Sequence, residues 1–278
     1  MKLDLQKISI DYETRGKAKF NGHKLIALHG WGVDRRIMTG CLEPLFKRRD
    51  NWERVYIDLP GMGKTLGKDW IMTSDHILEI VLDFIHKIAP KQQVVLAGES
   101  YGSYLIQAII DKEPNIVAGA LLICPPTIAD REKRTLPPRA VLQKDELLLA
   151  NLKPLELIAI QSSSLVILTK KVWENFKKHI LPGKKIANNT MLEQIYKKQY
   201  GVSCDLNNLT KKFSKPTLLL AGRQDFIVGY QDAWSIIEKY PHMSFAVLDR
   251  AGHNLPFEQE RLFRALVNEW LNRVEIQQ

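Results

Sequence analysis

Short apolar runs recur along the chain, and each ends abruptly at a polar residue, a glycine or a cysteine. The runs occupy residues 25–28, 55–57, 94–97, 120–123, 217–221 and 245–248. Because they are apolar at successive positions, both faces of each predicted strand must be covered. This pattern predicts central strands of a parallel sheet between layers of helices. An earlier run alternates at Ile8, Ile10 and Tyr12 and predicts a further strand.

Stretches with helical period lie between these strands. They cover residues 74–88, 102–112, 229–239 and 258–274. Strands that alternate with helices form βαβ units, so the predicted fold class is α/β, with a mostly parallel central sheet flanked by helices. Right-handed crossovers bring the C-terminal ends of the parallel strands to one edge of the sheet. Open sheets of this kind bind their ligands at that edge, so the loops there are candidates for chemistry.

The middle of the chain interrupts this alternation. From about residue 127 to residue 211 the pattern is helical, without a convincing pair of strands, and it opens with a charged, proline-rich stretch. We interpret residues 126–212 as a helical cap inserted between two strands. Residues 1–125 and 213–278 then form one α/β core, and 278 residues suffice for such a domain with its insertion.

The formal charge of +9 is concentrated in that middle segment. Residues 126–212 contain 16 basic and 8 acidic residues, whereas the rest of the chain contains 24 and 23. Lysine pairs occur at residues 170–171, 177–178, 184–185, 197–198 and 211–212. Such charges either form solvated helix faces or steer an anionic substrate, or an ester carried on an acidic protein, to the cleft. Nucleic acid is not expected as a partner, because a recognition motif and interleaved aromatic residues are lacking.

The three cysteines, Cys41, Cys124 and Cys204, are far apart and odd in number. They match no metal-binding spacing and no disulfide framework, so we expect a reducing compartment and place the protein in the cytoplasm. No window has the uninterrupted apolar length that a membrane span needs, and the first residues lack a signal peptide's apolar core. The motifs described next require neither a metal nor another cofactor.

Residues 98–102 have the pattern G-x-S-x-G directly after an apolar strand and directly before a helical stretch. In this context a sharp strand-to-helix turn presents a serine nucleophile. Such a turn strains the backbone at Ser100, and Gly98 and Gly102 let strand and helix approach, because a side chain at either place would clash. Ser100 is therefore the candidate nucleophile. We interpret Glu99 as a residue that makes local hydrogen bonds.

A serine hydroxyl needs a base to accept its proton and a third group to orient that base. Among the seven histidines, only His253 lies in a glycine-bearing loop directly after a late strand. Asp225 follows another strand end and is the candidate acid. Asp130 is the reserve acid, and Asp249 is less suitable because it lies too close to His253 along the chain. The order Ser100, Asp225, His253 is the one expected of an α/β-hydrolase.

An acyl-transfer site also needs hydrogen-bond donors for the oxyanion. The backbone N–H of Tyr101 follows from the turn itself, at the start of a helix whose dipole favours negative charge. For the second donor we choose the backbone N–H of Trp31, since Gly30 and Gly32 let the main chain turn inward. The candidate substrate contacts are His29, Trp31 and Tyr104.

These motifs together resemble the α/β-hydrolase superfamily over nearly the full chain. The matching segments are residues 29–32 (H-G-W-G), 58–63 (D-L-P-G-M-G), 98–102 (G-E-S-Y-G), 222–225 (G-R-Q-D) and 251–256 (A-G-H-N-L-P), with Glu258. One departure is Thr65, where relatives often have serine. The H-G-W-G loop is most similar to that of small cytosolic esterases, such as the pimeloyl-carrier-protein methyl ester esterases. Ser100 disfavours the relatives that use an aspartate nucleophile, the dehalogenases and epoxide hydrolases.

The resulting hypothesis is a carboxylesterase that acts on a small or medium acyl ester through an acyl-enzyme. Ser100 would attack the ester carbonyl with His253 as base, and water would then release the acyl group. A second hypothesis keeps the fold and abandons hydrolysis, as in a lyase, a perhydrolase or a cofactor-free oxygenase. A third is a non-catalytic ligand-binding member of the superfamily, against which the intact set of Ser100, Asp225 and His253 argues.

Overall fold

Strands and helices alternate along most of the chain. The computed structural model describes residues 1–19, 22–206 and 212–276. Its strands are β1 (Lys2–Asp4), β2 (Ser9–Arg15), β3 (His23–Leu28), β4 (Trp52–Ile57), β5 (Val94–Glu99), β6 (Val117–Ile123), β7 (Gln143–Lys144), β8 (Ile167–Leu168), β9 (Thr217–Gly222) and β10 (Met243–Leu248). Its α-helices are α1 (Arg36–Leu42), α2 (Ser74–Ile88), α3 (Tyr101–Lys112), α4 (Glu146–Ala150), α5 (Pro154–Gln161), α6 (Lys170–His179), α7 (Leu181–Ile186), α8 (Asn189–Gln199), α9 (Leu255–Glu258) and α10 (Glu260–Ile276). Short 3₁₀ helices are Glu43–Arg48, Pro114–Ile116, Arg131–Lys133 and Asp232–Lys239.

One sheet of eight strands runs through the described part of the chain, in the order β1-β2-β4-β3-β5-β6-β9-β10. The pairs β1–β2 and β2–β4 are antiparallel, and the pairs from β4 to β10 are parallel. The predicted fold class, a mostly parallel sheet flanked by helices, is confirmed. Gly98 at the end of β5 lies beside Leu28 of β3 and Leu122 of β6. The C-terminal ends of these strands therefore meet at one edge of the sheet.

The pleat of the central strands divides the hydrophobic core into two layers. In β3, Ile26 and Leu28 belong to the layer that contains α2 and α3, whereas Leu25 and Ala27 belong to the layer that contains α1 and α10. All four side chains are fully buried. Successive residues thus face opposite helical layers, which explains why the central runs are apolar at every position.

The predicted helices at residues 74–88 and 102–112 correspond to α2 and α3 to within one residue. The stretch predicted at residues 229–239 begins later, as a 3₁₀ helix, because Gly229 has a φ of 75°, outside the right-handed helical region. The stretch predicted at residues 258–274 is divided, since Gln259, with a φ of −123°, separates α9 from α10. None of the described helices is both long and apolar enough to cross a membrane.

Between β6 and β9, the described chain contains the helices α4 to α8, joined by irregular segments. The expectation that this segment lacks a strand pair is wrong at one place, because β7 and β8 pair in parallel. Strands of two residues are too short to give a periodic signal in the sequence. Residues 207–211, which include Lys211 of the last lysine pair and the far end of the segment interpreted as a cap, lie outside the described residues.

Candidate active site

Ser100 occupies the sharp turn between β5 and α3. Its φ of 50° and ψ of −116° lie in a region that residues with a side chain rarely adopt. A Cβ at Gly98 would lie 2.5 Å from the carbonyl carbon of Gly102, and one at Gly102 would lie 2.1 Å from the carbonyl oxygen of Leu28. Only glycine fits at these two positions, so the close approach of strand and helix explains both glycines of the motif.

Ser100, His253 and Asp225 form a continuous hydrogen-bonded chain. The Ser100 Oγ lies 2.9 Å from His253 Nε2, and His253 Nδ1 lies 2.8 Å from Asp225 Oδ2. In the neutral tautomer that this geometry favours, Nδ1–H donates to the carboxylate and Nε2 accepts the hydroxyl proton. Asp225 is fully buried, and its Oδ1 accepts the backbone N–H groups of Ile227 and Val228 at 2.9 and 3.1 Å. These two donors fix the carboxylate and compensate its burial.

The two rival acids have other partners. Asp249 is exposed and accepts a hydrogen bond from Gln224 Nε2 at 2.8 Å. Asp130 accepts the backbone N–H of Glu132 at 3.1 Å and so caps a short 3₁₀ helix. Neither carboxylate forms a hydrogen bond or an ion pair with His253 among the described residues. The acid chosen from the sequence is therefore the one that reaches the imidazole.

Buried hydrogen bonds tie the histidine-bearing loop to the middle segment of the chain. Glu258 accepts the backbone N–H of Gly252 at 2.7 Å and that of Val166 at 2.6 Å. Asn254 Nδ2 donates to Ser164 Oγ at 2.9 Å. The position of the loop therefore depends on residues just before β8, which lie about ninety residues earlier in the chain.

Two carboxylates act on the pKa of His253. Burial lowers this pKa, but Asp225 and then Glu99 outweigh burial and raise the pKa from 6.5 to about 9. Glu99 is itself 3% exposed, its Oε1 lies 3.6 Å from His253 Nε2, and burial raises its pKa from 4.5 to about 7. The sequence interpretation of Glu99 as a local hydrogen-bonding residue missed this contact. Its position at the strand end, directly beside Ser100, is the signal that could have revealed it.

The candidate oxyanion donors belong to two chain segments that border Ser100. Tyr101 is the first residue of α3, where backbone N–H groups have no acceptor within the helix. Trp31 follows β3 and lines the same cavity as Ser100. The rings of Trp31 and Tyr101 pack edge to face with centroids 4.7 Å apart, which holds the two segments together. The assignment of their N–H groups to the oxyanion stays a prediction.

His29 and Tyr104 are not part of the cavity lining. His29 is fully buried, its Nδ1 donates to the carbonyl oxygen of Gly30 at 2.8 Å, and its Nε2 accepts the N–H of Leu59 at 2.9 Å. Tyr104 is 3% exposed, and its hydroxyl oxygen accepts the N–H of Val202 at 3.0 Å. Because the polar atoms of both side chains hydrogen-bond to backbone groups, this geometry does not support the expectation that His29 and Tyr104 contact substrate.

Tyr200, which the sequence reasoning did not single out, lines the cavity instead. Its ring stacks on that of Tyr104 with centroids 6.0 Å apart and packs edge to face on Trp31 at 5.3 Å. Tyr196, one helical turn earlier, also lines the cavity and packs on Tyr200 at 5.4 Å. The spacing of these two tyrosines, four residues apart, is the sequence signal that could have found this aromatic wall.

A cavity of about 650 Å³ has both Ser100 and His253 in its lining. Its cationic lining residues are Arg131, Arg134, Arg139, Lys184 and Lys197. Among the described residues, none of these cations forms an ion pair with a carboxylate within 4.0 Å. Arg134 instead donates to the backbone carbonyl groups of Ile128, Ala129 and Ile227. The carboxyl groups of Glu99 and Glu193 also line the cavity, so its lining has more cationic than anionic side chains.

Cys124, Asp225 and His253 place potential metal-ligating atoms within 4.8 Å of one another. Burial raises the pKa of the Cys124 thiol well above its ordinary value, so the thiolate that a metal prefers is disfavoured. The other two side chains already hydrogen-bond to each other. These residues therefore fit a proton-transfer chain better than they fit a metal site.

Comparison with known proteins gives matches over most of the chain. The family model described as "Serine aminopeptidase, S33" matches residues 24–260. A curated pimeloyl-[acyl-carrier protein] methyl ester esterase from Shewanella woodyi is 27% identical over 261 residues, which cover 91% of this chain and 95% of that protein. A protein of the same name from Legionella pneumophila (strain Corby) is 25% identical over 263 residues, covering 90% and 95%.

This chain is also similar to solved structures of the same architecture. An alpha/beta superfamily hydrolase from Oenococcus oeni PSU-1 has a TM-score of 0.87 at 28% identity and covers 99% of both chains. A thermophilic esterase from Thermogutta terrifontis has a TM-score of 0.64 at 23% identity and covers 96% of this chain and 94% of its own. The second likeness concerns the fold alone.

Proposed function

We propose that this chain, which belongs to the α/β-hydrolase family described as Serine aminopeptidase, S33, is a carboxylesterase for small or medium acyl esters. Its family and fold make it an esterase-like α/β hydrolase. The observation that carries the finer proposal is the hydrogen-bonded chain of Ser100, His253 and Asp225 at the sheet edge. The names of the curated relatives, which are methyl ester esterases, support an ester as the substrate.

In the first proposed step, His253 Nε2 accepts the hydroxyl proton of Ser100 while Oγ attacks the ester carbonyl. Asp225 holds the imidazole in the required tautomer and stabilises the imidazolium that forms. The imidazolium then protonates the departing alkoxide and leaves an acyl-enzyme. In the second step the same imidazole accepts a proton from water, which attacks the acyl group and restores Ser100.

The negative charge that develops on the carbonyl oxygen would be met by the backbone N–H groups of Trp31 and Tyr101. The Tyr101 N–H is supported by its place in the first turn of α3, where the helix dipole also favours negative charge. The Trp31 N–H is supported by the position of Trp31 in the cavity lining beside Ser100. Losing one such donor typically costs about 10²–10³ in rate.

We also propose that the segment interpreted as residues 126–212 acts as a cap that selects the substrate. The described part of this segment supplies Arg134, Ser163, Phe176 and Tyr200 to the cavity that contains Ser100. Its unpaired cations would favour an anionic substrate or an ester carried on an acidic protein. The relatives' names, which include an acyl carrier protein, support the second form.

The three free cysteines support a reducing compartment and hence the proposed cytoplasmic location. Cys41 and Cys124 are buried. Burial raises the pKa of both thiols, which keeps them protonated and unreactive. Neither thiol is therefore expected to compete with Ser100 as a nucleophile.

The test is an activity screen across p-nitrophenyl esters from acetate to palmitate, with the Ser100→Ala protein as the blank. We expect turnover of at least one ester by the wild-type protein. Removal of the nucleophile should lower kcat by on the order of 10⁶. Equal rates for the two proteins on every ester would contradict the proposal. The chain length of the best substrate would show how much acyl group the cavity of about 650 Å³ admits.

A further inference from the structure

Glu99 is a buried carboxyl group that the mechanism described so far does not use. It is the last residue of β5, directly before Ser100, and it is 3% exposed. Burying a carboxylate is costly unless a cation or hydrogen-bond donors compensate it. An apolar side chain would suffice at a buried strand end, so the burial of a carboxyl group at this place needs an explanation.

The contacts of Glu99 are with the imidazole and with the loop after β3. Glu99 Oε1 lies 3.6 Å from His253 Nε2, and the backbone N–H of Gly30 lowers the pKa of the carboxyl group. A Cβ on Gly30 would lie 2.2 Å from Glu99 Oε2, so the absence of a side chain at Gly30 makes room for the carboxyl group. Within the described residues, no lysine or arginine forms an ion pair with Glu99.

We propose that Glu99 is a second carboxylate partner of His253, which stabilises the imidazolium from the Nε2 side while Asp225 stabilises it from the Nδ1 side. This inference rests on the proposed function, because within the catalytic cycle the imidazolium forms when Ser100 gives up its proton. Glu99 acts through His253 and is therefore a positioning residue. Its close contact with Gly30 also places it against the loop that carries Trp31.

Proton transfer through this arrangement is balanced at each step. The Ser100 Oγ–H bond breaks, the proton binds His253 Nε2, and the Oγ electron pair attacks the carbonyl carbon. The new Nε2–H faces the departing oxygen while Glu99 Oε1 lies 3.6 Å from Nε2, and its proton leaves with the alkoxide. Glu99 has the same protonation state before and after the cycle, so it adds charge stabilisation and no further proton acceptor.

The other titratable groups that act on Glu99 and His253 do not stabilise the imidazolium from the Nε2 side. Asp225 faces the opposite ring nitrogen, and its negative charge raises the pKa of both Glu99 and His253. Arg134 lowers the pKa of His253. The thiols of Cys41 and Cys124 both interact with Glu99, but burial raises the pKa of each, so they stay neutral.

The informative variant is Glu99→Gln, which keeps the shape and an oxygen for the Gly30 N–H but removes the charge. An opposite charge within about 4–6 Å typically shifts a pKa by about 1–3 units. We expect the pKa of His253 to fall by about one unit or more in this variant. The acid limb of kcat/KM should move to lower pH by the same amount, and kcat on the plateau should fall by roughly tenfold because the imidazolium is less stabilised.

Two measurements test the proposal on the full chain: ¹⁵N NMR titration of the His253 ring nitrogens, and the pH profile of kcat/KM for p-nitrophenyl acetate. Asp249→Asn is the matched control, because its exposed carboxylate lies near the same loop but bonds Gln224 and not the imidazole. We expect this control to keep the wild-type titration. A Glu99→Gln protein that also keeps it would overturn the proposal.

The NMR readout separates the two proposals, since it does not require turnover. If the titration shifts but the wild-type protein hydrolyses no ester, the carboxylate pair stands and the proposed function fails. If the wild-type protein hydrolyses esters and the titration does not shift, the proposed function stands and the role of Glu99 is refuted. If Glu99→Gln does not fold, Glu99→Asp replaces it: a carboxylate withdrawn by one methylene should give a smaller downward shift, and an unchanged titration refutes the proposal.

Discussion

At His253, burial and two carboxylates act on the pKa in opposite directions. Burial lowers it, whereas Asp225 and Glu99 raise it, and their combined effect places the pKa near 9. A general base works only in its neutral form. A raised pKa therefore strengthens the base but confines it to higher pH. The same carboxylates that stabilise the imidazolium in the transition state thus set the pH range in which the proposed esterase works.

The pH dependence of kcat/KM follows directly. We expect activity to be lost as the pH falls through the pKa of His253, at a value above the ordinary 6.5. Replacing Asp225 by Asn should lower kcat by about 10⁴, because the imidazole loses the partner that holds its tautomer. A profile of kcat/KM between pH 5 and pH 10 checks this expectation. An acid limb at or below pH 6.5 in the wild-type protein would contradict it.

The turn at Ser100 makes a separate prediction about stability. A methyl group at Gly102 would lie 2.1 Å from the backbone carbonyl oxygen of Leu28, which no side-chain rotation can relieve. Gly102→Ala should therefore destabilise the fold by about 1–3 kcal/mol and displace the nucleophile. Gly201→Ala is the control, since its Cβ would meet side-chain atoms and no backbone, with Ala129 Cβ at 3.1 Å and Tyr104 Oη at 3.7 Å. Urea unfolding compares the two variants, and equal losses would refute the steric explanation.

At the scale of single residues, the sequence was sufficient where a strand end carries the chemistry. Ser100, Asp225 and His253 each lie within a few residues of the end of an apolar run, so parallel topology predicts that they meet. His29 also follows a strand, but its ring hydrogen-bonds to backbone groups of Gly30 and Leu59. The position of Tyr200 could not be predicted from the sequence, because strand pairing does not align helices that lie outside the sheet.

The loop after β10 and the segment before β8 are connected elements. Glu258 accepts backbone N–H groups from both, and Asn254 adds a side-chain bond between them. A displacement of the segment before β8 would therefore pull on the loop that carries His253. Substrate selection by the proposed cap and orientation of the base are thus linked by a few buried hydrogen bonds.

Glu258→Ala tests this connection. It leaves the N–H groups of Gly252 and Val166 buried without an acceptor, at a cost of about 1–3 kcal/mol each. We expect a lower free energy of unfolding and a lower kcat, because the imidazole is held less firmly. Glu258→Gln keeps one acceptor oxygen and should lose less of both. Urea unfolding with steady-state kinetics measures the pair of variants, and a wild-type kcat in Glu258→Ala would refute the connection.

The elements predicted best are those in which packing and local preference agree. The helices α2 and α3 and the central strands have regular apolar patterns, and the structure has them within three residues of the expected bounds. The elements predicted worst depend on one or two residues each. Gly229, with its positive φ, delays one helix, and the pairing of β7 with β8 involves two residues on each side.

Across the whole molecule, charge is distributed unevenly, and several cations without an ion-pair partner in the described chain line the cavity. Arg131, Arg139 and Lys184 line it without a carboxylate partner among the described residues. The side chain of Lys184 is exposed, although partial desolvation by nearby atoms lowers the pKa of its ammonium group. An anionic group on the substrate would offset the positive charge of these side chains. The sequence predicted the excess of charge but not that part of it lines the cavity that contains Ser100, because the helices between β6 and β9 could not be placed.

Salt dependence tests the electrostatic part of the account. We expect kcat/KM for a p-nitrophenyl monoester of a dicarboxylic acid to fall as salt is raised, and kcat/KM for the neutral p-nitrophenyl butyrate to change little. Lys184→Ala should weaken the salt dependence, whereas Lys2→Ala, on β1, should not. Equal responses of the two esters to salt would show that the cavity cations are only a solvated surface.

The central claim is that Ser100 is an activated nucleophile, and labelling with a fluorophosphonate tests it most directly. We predict one covalent adduct, located on Ser100 by mass spectrometry of the digested protein. The adduct should be absent from Ser100→Ala and should form far more slowly in His253→Ala. A wild-type protein that stays unlabelled, or that carries the adduct on another residue, would contradict the account.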